Sequence, residues 1–318
     1  MPATRHIYMV LSPRSLGYAK GALESLFCKS LETLHLRLIT DSPSDKDELS
    51  QAVARLDSKG HQWTVYAEDD LAAREDEIFG RYDNLRIFRH GHPCWRKITD
   101  PLLLSEPNEE LVLLDPDLYF PNRFKFEETP QTGLLLMWQQ TSCLYPPEVV
   151  WAAMQDGIRL SHHVDIGVAN WRNAADLSWL NWLVGRLGGT NLPRIAHIEA
   201  IVWAALAMRI GGGHLDPKYW KCWHRSIAKR VMAKAGVNGV HILKSEPWAS
   251  IKCFHAGGES KSWLESVRKA GLMDSNAEHT SPGHVIPFVE LKPTEFSRDR
   301  AFKRVLKALG YYQIFRSA

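Results

Sequence analysis

Leu111-Val112-Leu113-Leu114-Asp115-Pro116-Asp117 is the stretch that decides how this chain folds. The uninterrupted apolar run Leu111–Leu114 has no polar face, the pattern of a short strand buried on both sides. In parallel, helix-covered sheets, ligands bind beyond the carboxyl ends of the strands. Asp115 and Asp117 stand at that end. Side chains at i and i+2 of an extended chain point the same way, so two carboxylates face one point. Their oxygens suit a hard divalent cation that also binds substrate phosphates. Asp and Pro are also ordinary turn residues, so the pair alone leaves a strand-ending turn open.

Upstream of this stretch the chain alternates strand and helix. Ile7–Leu11, Leu34–Thr40 and Gln62–Tyr66 read as strands, and helical spacing marks Gly21–Ser30 and a charged helix around Asp45–Lys59. This β-α-β-α-β order predicts an α/β fold with a mostly parallel central sheet. Downstream, strands are expected at Gly133–Met137, Asp165–Asn170 and Ile251–His255, and helices at Trp179–Leu187 and Glu199–Met208. A basic helix is expected within Lys218–Lys234 and another from Ser297 onward. The organisation expected is a single domain over residues 1–270 followed by a C-terminal extension over 271–318 that carries the basic amphipathic helix.

Composition excludes several classes. The 318 residues are 45% hydrophobic and 24% charged, as in ordinary globular proteins, which rules out disorder, collagen-like and coiled-coil readings. A net charge of +3 does not describe a nucleic-acid binder. The cysteines Cys28, Cys94, Cys143, Cys222 and Cys253 are scattered without a C-x-x-C, which argues against a disulfide framework or zinc knuckle and fits reduced thiols in a cytoplasmic chain. Ile7–Leu11 is too short for a secretory core, and no apolar stretch reaches membrane-spanning length.

His255 ends another apolar strand and opens His255-Ala-Gly-Gly-Glu-Ser-Lys-Ser-Trp263. Gly257 and Gly258 permit close backbone approach, and Lys261 supplies a point charge suited to phosphate. D-x-D after a hydrophobic strand, followed far downstream by H-x-x-G-x-x-K-x-W, resembles the nucleotide-sugar transferases of the GT-A (Rossmann-like) fold, specifically the retaining glycosyltransferase family 8. The resemblance runs in order over roughly residues 5 to 265. It implies that Asp115, Asp117 and His255 hold Mn²⁺ (or Mg²⁺), and that Gly258 and Lys261 contact the diphosphate of a nucleotide-sugar donor. Ser262 stands where the family usually has proline.

The same resemblance extends to weaker segments. His92-Pro-Cys-Trp-Arg-Lys97 precedes the Asp115 strand by about the distance at which the family keeps a basic donor-binding residue; Lys97 is favoured, with Arg96 beside it. Asp165-Ile-Gly167 resembles an Asn-x-Gly strand near the donor sugar, with Asp for Asn. Glu199 falls where the family carries an Asp-Gln pair. Asp165 and Glu199 are therefore the carboxylates expected to line the sugar pocket. Backbone groups near Leu11 and Ser12 are expected to meet the uracil edge. Tyr18 either stacks on that ring or packs as a core residue at a helix start.

The activity implied is metal-dependent transfer of a hexose from a UDP-sugar, with retention, to a hydroxyl on a glycan or glycolipid. Two rivals remain at this level. One is a non-catalytic carbohydrate-binding or scaffold protein on the same fold. The other is a D-x-D phosphatase, which wants Thr or Val where Tyr119 stands. Finally, Arg298, Arg300, Lys303, Arg304, Lys307 and Arg316 accompany Phe302, Val305, Leu306 and Leu309 on one helical face, followed by Tyr311, Tyr312, Ile314 and Phe315. Basic residues beside an apolar stripe describe an interfacial helix, and so imply peripheral membrane contact. A second strip is expected from Lys221, Arg225 and Lys229 behind Trp220, Trp223, Ile227 and Val231.

Overall fold

The computed structural model describes residues 4–275 and 277–314, without the side chains at 312 and 314. Strands β1 (Arg5–Val10), β2 (Leu34–Thr40), β3 (Gln62–Ala67) and β4 (Glu110–Leu114) form the first half of an eight-stranded sheet. After two short strands, β5 (Leu118–Tyr119) and β6 (Arg123–Phe124), the sheet continues with β7 (Leu134–Trp138), β8 (Val164–Arg172) and β9 (Gly212–His214). Strands β10 (Trp220–Cys222) and β11 (Cys253–His255) lie outside it, and β12 (Glu278–His279) and β13 (Ile286–Pro287) follow. The order is β13-β9-β7-β8-β4-β1-β2-β3. Pairing is parallel from β4 through β1 and β2 to β3 and between β7 and β9, and antiparallel where β8 meets β4 and β7 and where β13 meets β9.

The alternation of side chains divides the core cleanly. Leu111 and Leu113 of β4 join Tyr8, Leu134, Leu136, Trp171 and Trp203 on one face. Val112 and Leu114 join Ile7, Met9, Leu36, Leu38 and Met137 on the other. That is why β4 carries no polar residue from 111 to 114: both faces are sealed. Helix Leu16–Lys29 covers the second face with Ala19, Leu23, Leu26 and Phe27, spaced to share one stripe.

The stretch between β3 and β4, unassigned from sequence, holds helices Ala72–Phe79, Asp83–Arg89 and Arg96–Leu104. A buried charge knot ties them together. Arg89 donates to Asp100 at 2.9 Å, pairs with Glu75, and donates to the Glu68 carbonyl at 3.0 Å. Arg96 donates to the Thr40 carbonyl at 2.8 Å and pairs with Asp41, which fixes this last helix at the carboxyl end of β2.

Two further features set the site. The pairing of β7 with β8 jumps from Leu136–Ala169 to Met137–Asp165, so Ile166–Val168 bulge and re-aim the strand. A three-stranded sheet, β10-β11-β5, sets His255 opposite Leu118 and beside Cys222. The basic helix expected within Lys218–Lys234 is therefore corrected. Its first part is β10, and only Ile227–Lys234 is helical. Trp220 is buried, donating its indole N–H to Glu127 at 3.0 Å and stacking on Phe126, so it serves the core and not an interfacial strip.

The C-terminal helix runs from Pro293 to Ala308. Phe302 and Leu309 are 61% and 72% exposed, and Ile227 is 69% exposed. The guanidinium of Arg230 lies over the Tyr311 ring at 5.3 Å. The side chains of Tyr312 and Ile314, and the whole of Phe315 and Arg316, lie outside the described residues. Among the described residues, no helix is long and apolar enough to cross a membrane.

Candidate active site

Asp115 and Asp117 leave β4 at its carboxyl end, where the backbone N–H of Asp115 donates to the Gly167 carbonyl at 2.8 Å. His255 ends β11 across from them. Its Nε2 lies 3.2 Å from Asp117 Oδ1 and 3.8 Å from Asp115 Oδ2. Its Nδ1 meets Asp165 Oδ1 at 2.8 Å. Asp165 thus fixes the imidazole so that Nε2 faces the two carboxylates, the arrangement that sets a metal-binding histidine's orientation. Asp165 is held in turn by the backbone N–H of Gly167 at 2.9 Å and by the Cys222 thiol at 3.2 Å. One ligand atom from each of Asp115, Asp117 and His255 lies within 4.8 Å of the others, as do those of Asp165, Cys222 and His255.

Gly167 makes this packing possible. A Cβ there would stand 2.6 Å from His255 Nδ1 and 3.0 Å from Asp165 Oδ1. Sequence reading found the glycine through the Asp165-Ile-Gly167 resemblance but not its purpose, which is room for the ring.

Two lysines close the site from opposite sides. Lys97, from helix Arg96–Leu104, is buried and reaches Asp115 Oδ1 at 2.6 Å and Glu199 Oε1 at 3.0 Å. Arg96, its neighbour, points to Thr40 and Asp41 instead. Lys261 reaches Asp117 Oδ2 at 2.6 Å, with its ammonium 5.6 Å from the centre of the Tyr18 ring. Gly258 begins the turn that carries Lys261 and has φ of +63°, a conformation glycine adopts without strain. Tyr18 is half-buried on helix Leu16–Lys29 and bonds Ser15 Oγ at 2.9 Å. The Leu11 N–H donates to Ile39 and the Ser12 carbonyl accepts from Ser15, both at 2.9 Å. Those two groups are engaged within the protein.

The electrostatics follow from burial and pairing. Burial disfavours the Glu199 anion more than Lys97 favours it, and its pKa is pushed up to about 8. Burial likewise raises Asp115 against the pull of Lys97. Asp117 goes the other way. Burial is outweighed by His255 and Lys261, and its carboxyl sits well below the usual range. His255 and Lys97 are both held well above their ordinary values by the carboxylates they face, although burial alone would lower them. Glu199 Oε2 is buried without a hydrogen-bond partner. The buried O/O/N donor set of Asp115, Asp117 and His255 fits a hard or borderline divalent cation.

Cys222 was not singled out by the sequence, since a lone half-buried thiol carries no spacing signal. Its contact with Asp165 spans 57 residues and comes from the parallel pairing of β10 with β11.

No protein-family model matches the sequence, and no curated protein matches it. Solved structures do. Mouse xyloside xylosyltransferase 1, in its apo form, aligns with a TM-score of 0.53 at 12% identity, over 81% of this chain and 99% of its own. The glycosyltransferase GlyE of Streptococcus pneumoniae TIGR4 aligns at 0.47 and 14% identity, over 86% of this chain and 61% of that longer one. Galactosyltransferase LgtC, solved with donor and acceptor sugar analogs, aligns at 0.46 and 12% identity, over 84% and 92%. At such identities a likeness speaks for architecture alone. The chain shares the fold of that xylosyltransferase, the mostly parallel α/β architecture of the GT-A type that its sequence resemblance implied.

Proposed function

We propose that this protein is a metal-dependent glycosyltransferase that moves a hexose from a nucleotide-diphosphate sugar, a UDP-sugar first, to a hydroxyl of a glycan or glycolipid, with retention. The observation that carries the reading is the convergence of Asp115, Asp117 and His255 within 4.8 Å of one another at strand ends of a GT-A sheet. Those three residues would hold Mn²⁺ or Mg²⁺. A divalent cation there supplies Lewis-acid charge to a departing diphosphate.

The chain's own groups do the rest. Asp165 orients His255, and Gly167 leaves the ring its place. Lys261, on a Gly258 turn that lets backbone approach a ligand closely, offers a mobile cation to the diphosphate. Lys97 neutralises Asp115 and positions Glu199. Asp165 and Glu199 line the sugar pocket, Glu199 held there by Lys97 at 3.0 Å. Tyr18, beside Lys261, offers a face to the nucleobase. No side chain has to protonate the diphosphate leaving group; the acceptor hydroxyl can lose its proton to a diphosphate oxygen.

A screen of UDP- and GDP-sugars with Mn²⁺, reading nucleotide diphosphate release, tests the reading. Release from one donor family, rising with an added hydroxyl acceptor, supports it; no release from any donor and no thermal shift with UDP plus Mn²⁺ refutes it.

We also infer peripheral contact with an anionic membrane. Exposed Phe302, Val305 and Leu309, with Ile227 and Val231 exposed on the helix Ile227–Lys234, stand among Arg298, Lys303, Arg304 and Lys307, a charge complement to acidic lipid worth roughly 1 kcal/mol per basic residue at the surface. The full-length protein should pellet with anionic vesicles at low salt and not at high salt. Failure to pellet at low salt refutes the contact.

A further inference from the structure

A cavity of about 570 Å³ opens beside the candidate metal site. It shares Asp165, Cys222, Gly257 and Gly258 with the groups already described. What it adds is positive charge: Lys221, Arg225, Lys229 and Arg230 all line it, with His224 among them. The carboxylates on the same walls are Asp165 and Glu259. Asp165 is committed to His255 at 2.8 Å, and Glu259 to Arg225 at 2.8 Å. Lys229 pairs with Glu246. Among the described residues Lys221 and Arg230 form no ion pair. The imidazole of His224 is held below its ordinary pKa by burial and then by Lys229, Arg230 and Lys221, which marks the sign of the field inside.

Among the described residues, two of the four cations on these walls, Lys221 and Arg230, thus have no carboxylate partner; Arg230 donates to the Arg225 carbonyl at 3.3 Å and lies over the Tyr311 ring. Like charges in one concavity repel, and a cleft lined by one sign concentrates ligands of the other. Sugar-binding chemistry is present on the same walls. Trp138 and Trp223 offer aromatic surface, and Gln140 and Thr141 offer polar side-chain atoms. Arginine and lysine together are the usual means of holding phosphate or carboxylate. Of the residues assigned to the donor, Asp165 and Gly258 line this cavity, whereas Tyr18, Lys97 and Lys261 do not.

We infer that this cavity receives the acceptor, and that the acceptor is anionic: a sugar whose reacting hydroxyl lies near Asp165 while a phosphate or carboxylate it carries is held by Lys221 and Arg230. The inference rests on the transferase reading and names the substrate class of its second site. It also reassigns the basic strip Lys221, Arg225 and Lys229. In sequence that strip resembles one face of a membrane helix; in the fold it is the wall of a cavity.

The test is calorimetric titration of the protein, loaded with UDP and Mn²⁺, with glucose 6-phosphate, glucuronate and glucose. At least one of the two anionic sugars should bind at least about tenfold more tightly than glucose, the scale of one charge-assisted hydrogen bond. Lys221→Gln and Arg230→Gln should each remove most of that advantage and leave UDP affinity unchanged. Equal binding of all three sugars overturns the inference. So does a parallel loss of UDP and sugar-phosphate binding in both variants, which would give these cations to the donor's diphosphate. Competition by anionic phospholipid vesicles, with no binding of glucose 6-phosphate, would give them to a lipid headgroup and also overturn it. Failure of the underlying transferase reading shows separately, as a wild type that binds neither UDP nor Mn²⁺.

Discussion

Gly167→Ala adds one methyl group and should disable the site from underneath. The new Cβ would lie 2.6 Å from His255 Nδ1 and 2.8 Å from its Cγ, against about 3.4 Å for ordinary contact. The ring must retreat by about 0.8 Å, or the strand must bend, because interiors this dense have no slack. The carbonyl of Gly167 is tied to the Asp115 N–H at 2.8 Å and its N–H to Asp165 at 2.9 Å, so the backbone resists moving. The imidazole then loses its alignment on Asp165 and turns Nε2 off the two carboxylates. Disturbing a partner that orients a metal-binding histidine costs about 10–100-fold in metal affinity, and overpacking of this kind costs about 1–3 kcal/mol in stability. Titration of Mn²⁺ into the variant in the presence of UDP should show that drop, with unfolding by denaturant reporting the stability loss. Gly21→Ala is the control, since its Cβ meets only the Arg268 side chain at 3.9 Å, and metal binding there should be untouched. Wild-type Mn²⁺ affinity in Gly167→Ala would refute the claim that Asp165 and His255 act as one positioned unit.

Three other outcomes follow from the same geometry. Lys261→Ala should weaken UDP binding by about 1.5–3 kcal/mol if its ammonium makes one charge-assisted bond to the diphosphate; equal affinity in calorimetry returns it to a partner of Asp117 alone. Glu199→Gln should cut sugar transfer far more than UDP affinity, because Glu199 lies on the sugar side through Lys97, and a variant with normal turnover makes the residue structural. His214 is buried, and burial lowers its pKa from 6.5 to about 4, with His162 and His163 adding repulsion. The unfolded chain then binds the extra proton first, so stability is intact above pH 6.5, falls as pH drops toward 4, and is reduced by up to about 3 kcal/mol below it. His214→Gln should flatten that part of the stability curve, and parallel curves for the two proteins would exclude His214 as a source.

The parts of the fold legible in sequence were those written in uninterrupted or alternating apolar runs. Ile7–Leu11, Leu34–Thr40 and Leu111–Leu114 are strands because their side chains have a core on one or both faces, and that signal is local. The helices between 72 and 104 were silent for the opposite reason. Glu75, Arg89 and Asp100 look like solvent-facing charges, and only the fold shows them buried against each other. Lys97, favoured from the resemblance as a basic donor-binding residue, shows the same limit: its sequence neighbours suggest solvent, and only the fold sets its ammonium between two buried carboxylates. Trp220-Lys221-Cys222 reads as helix because its charges recur at helical spacing; pairing with Cys253–His255 overrides that propensity. The strand-end motifs Asp115-Pro-Asp117 and His255 were legible through chemistry. Of their closest supports, both far away in sequence, Gly167 shows only through the Asp165-Ile-Gly167 resemblance and Cys222 carries no pattern of its own.

The central claim is that Asp115, Asp117 and His255 hold a divalent cation on which the nucleotide diphosphate depends. The measurement that meets it most directly is calorimetric titration of UDP into the protein with Mn²⁺ and again in excess EDTA, repeated with Asp117→Asn. Stoichiometric binding with Mn²⁺, lost in EDTA and lost in the variant, is the predicted result. UDP binding of undiminished affinity in EDTA, or in Asp117→Asn, would contradict the account.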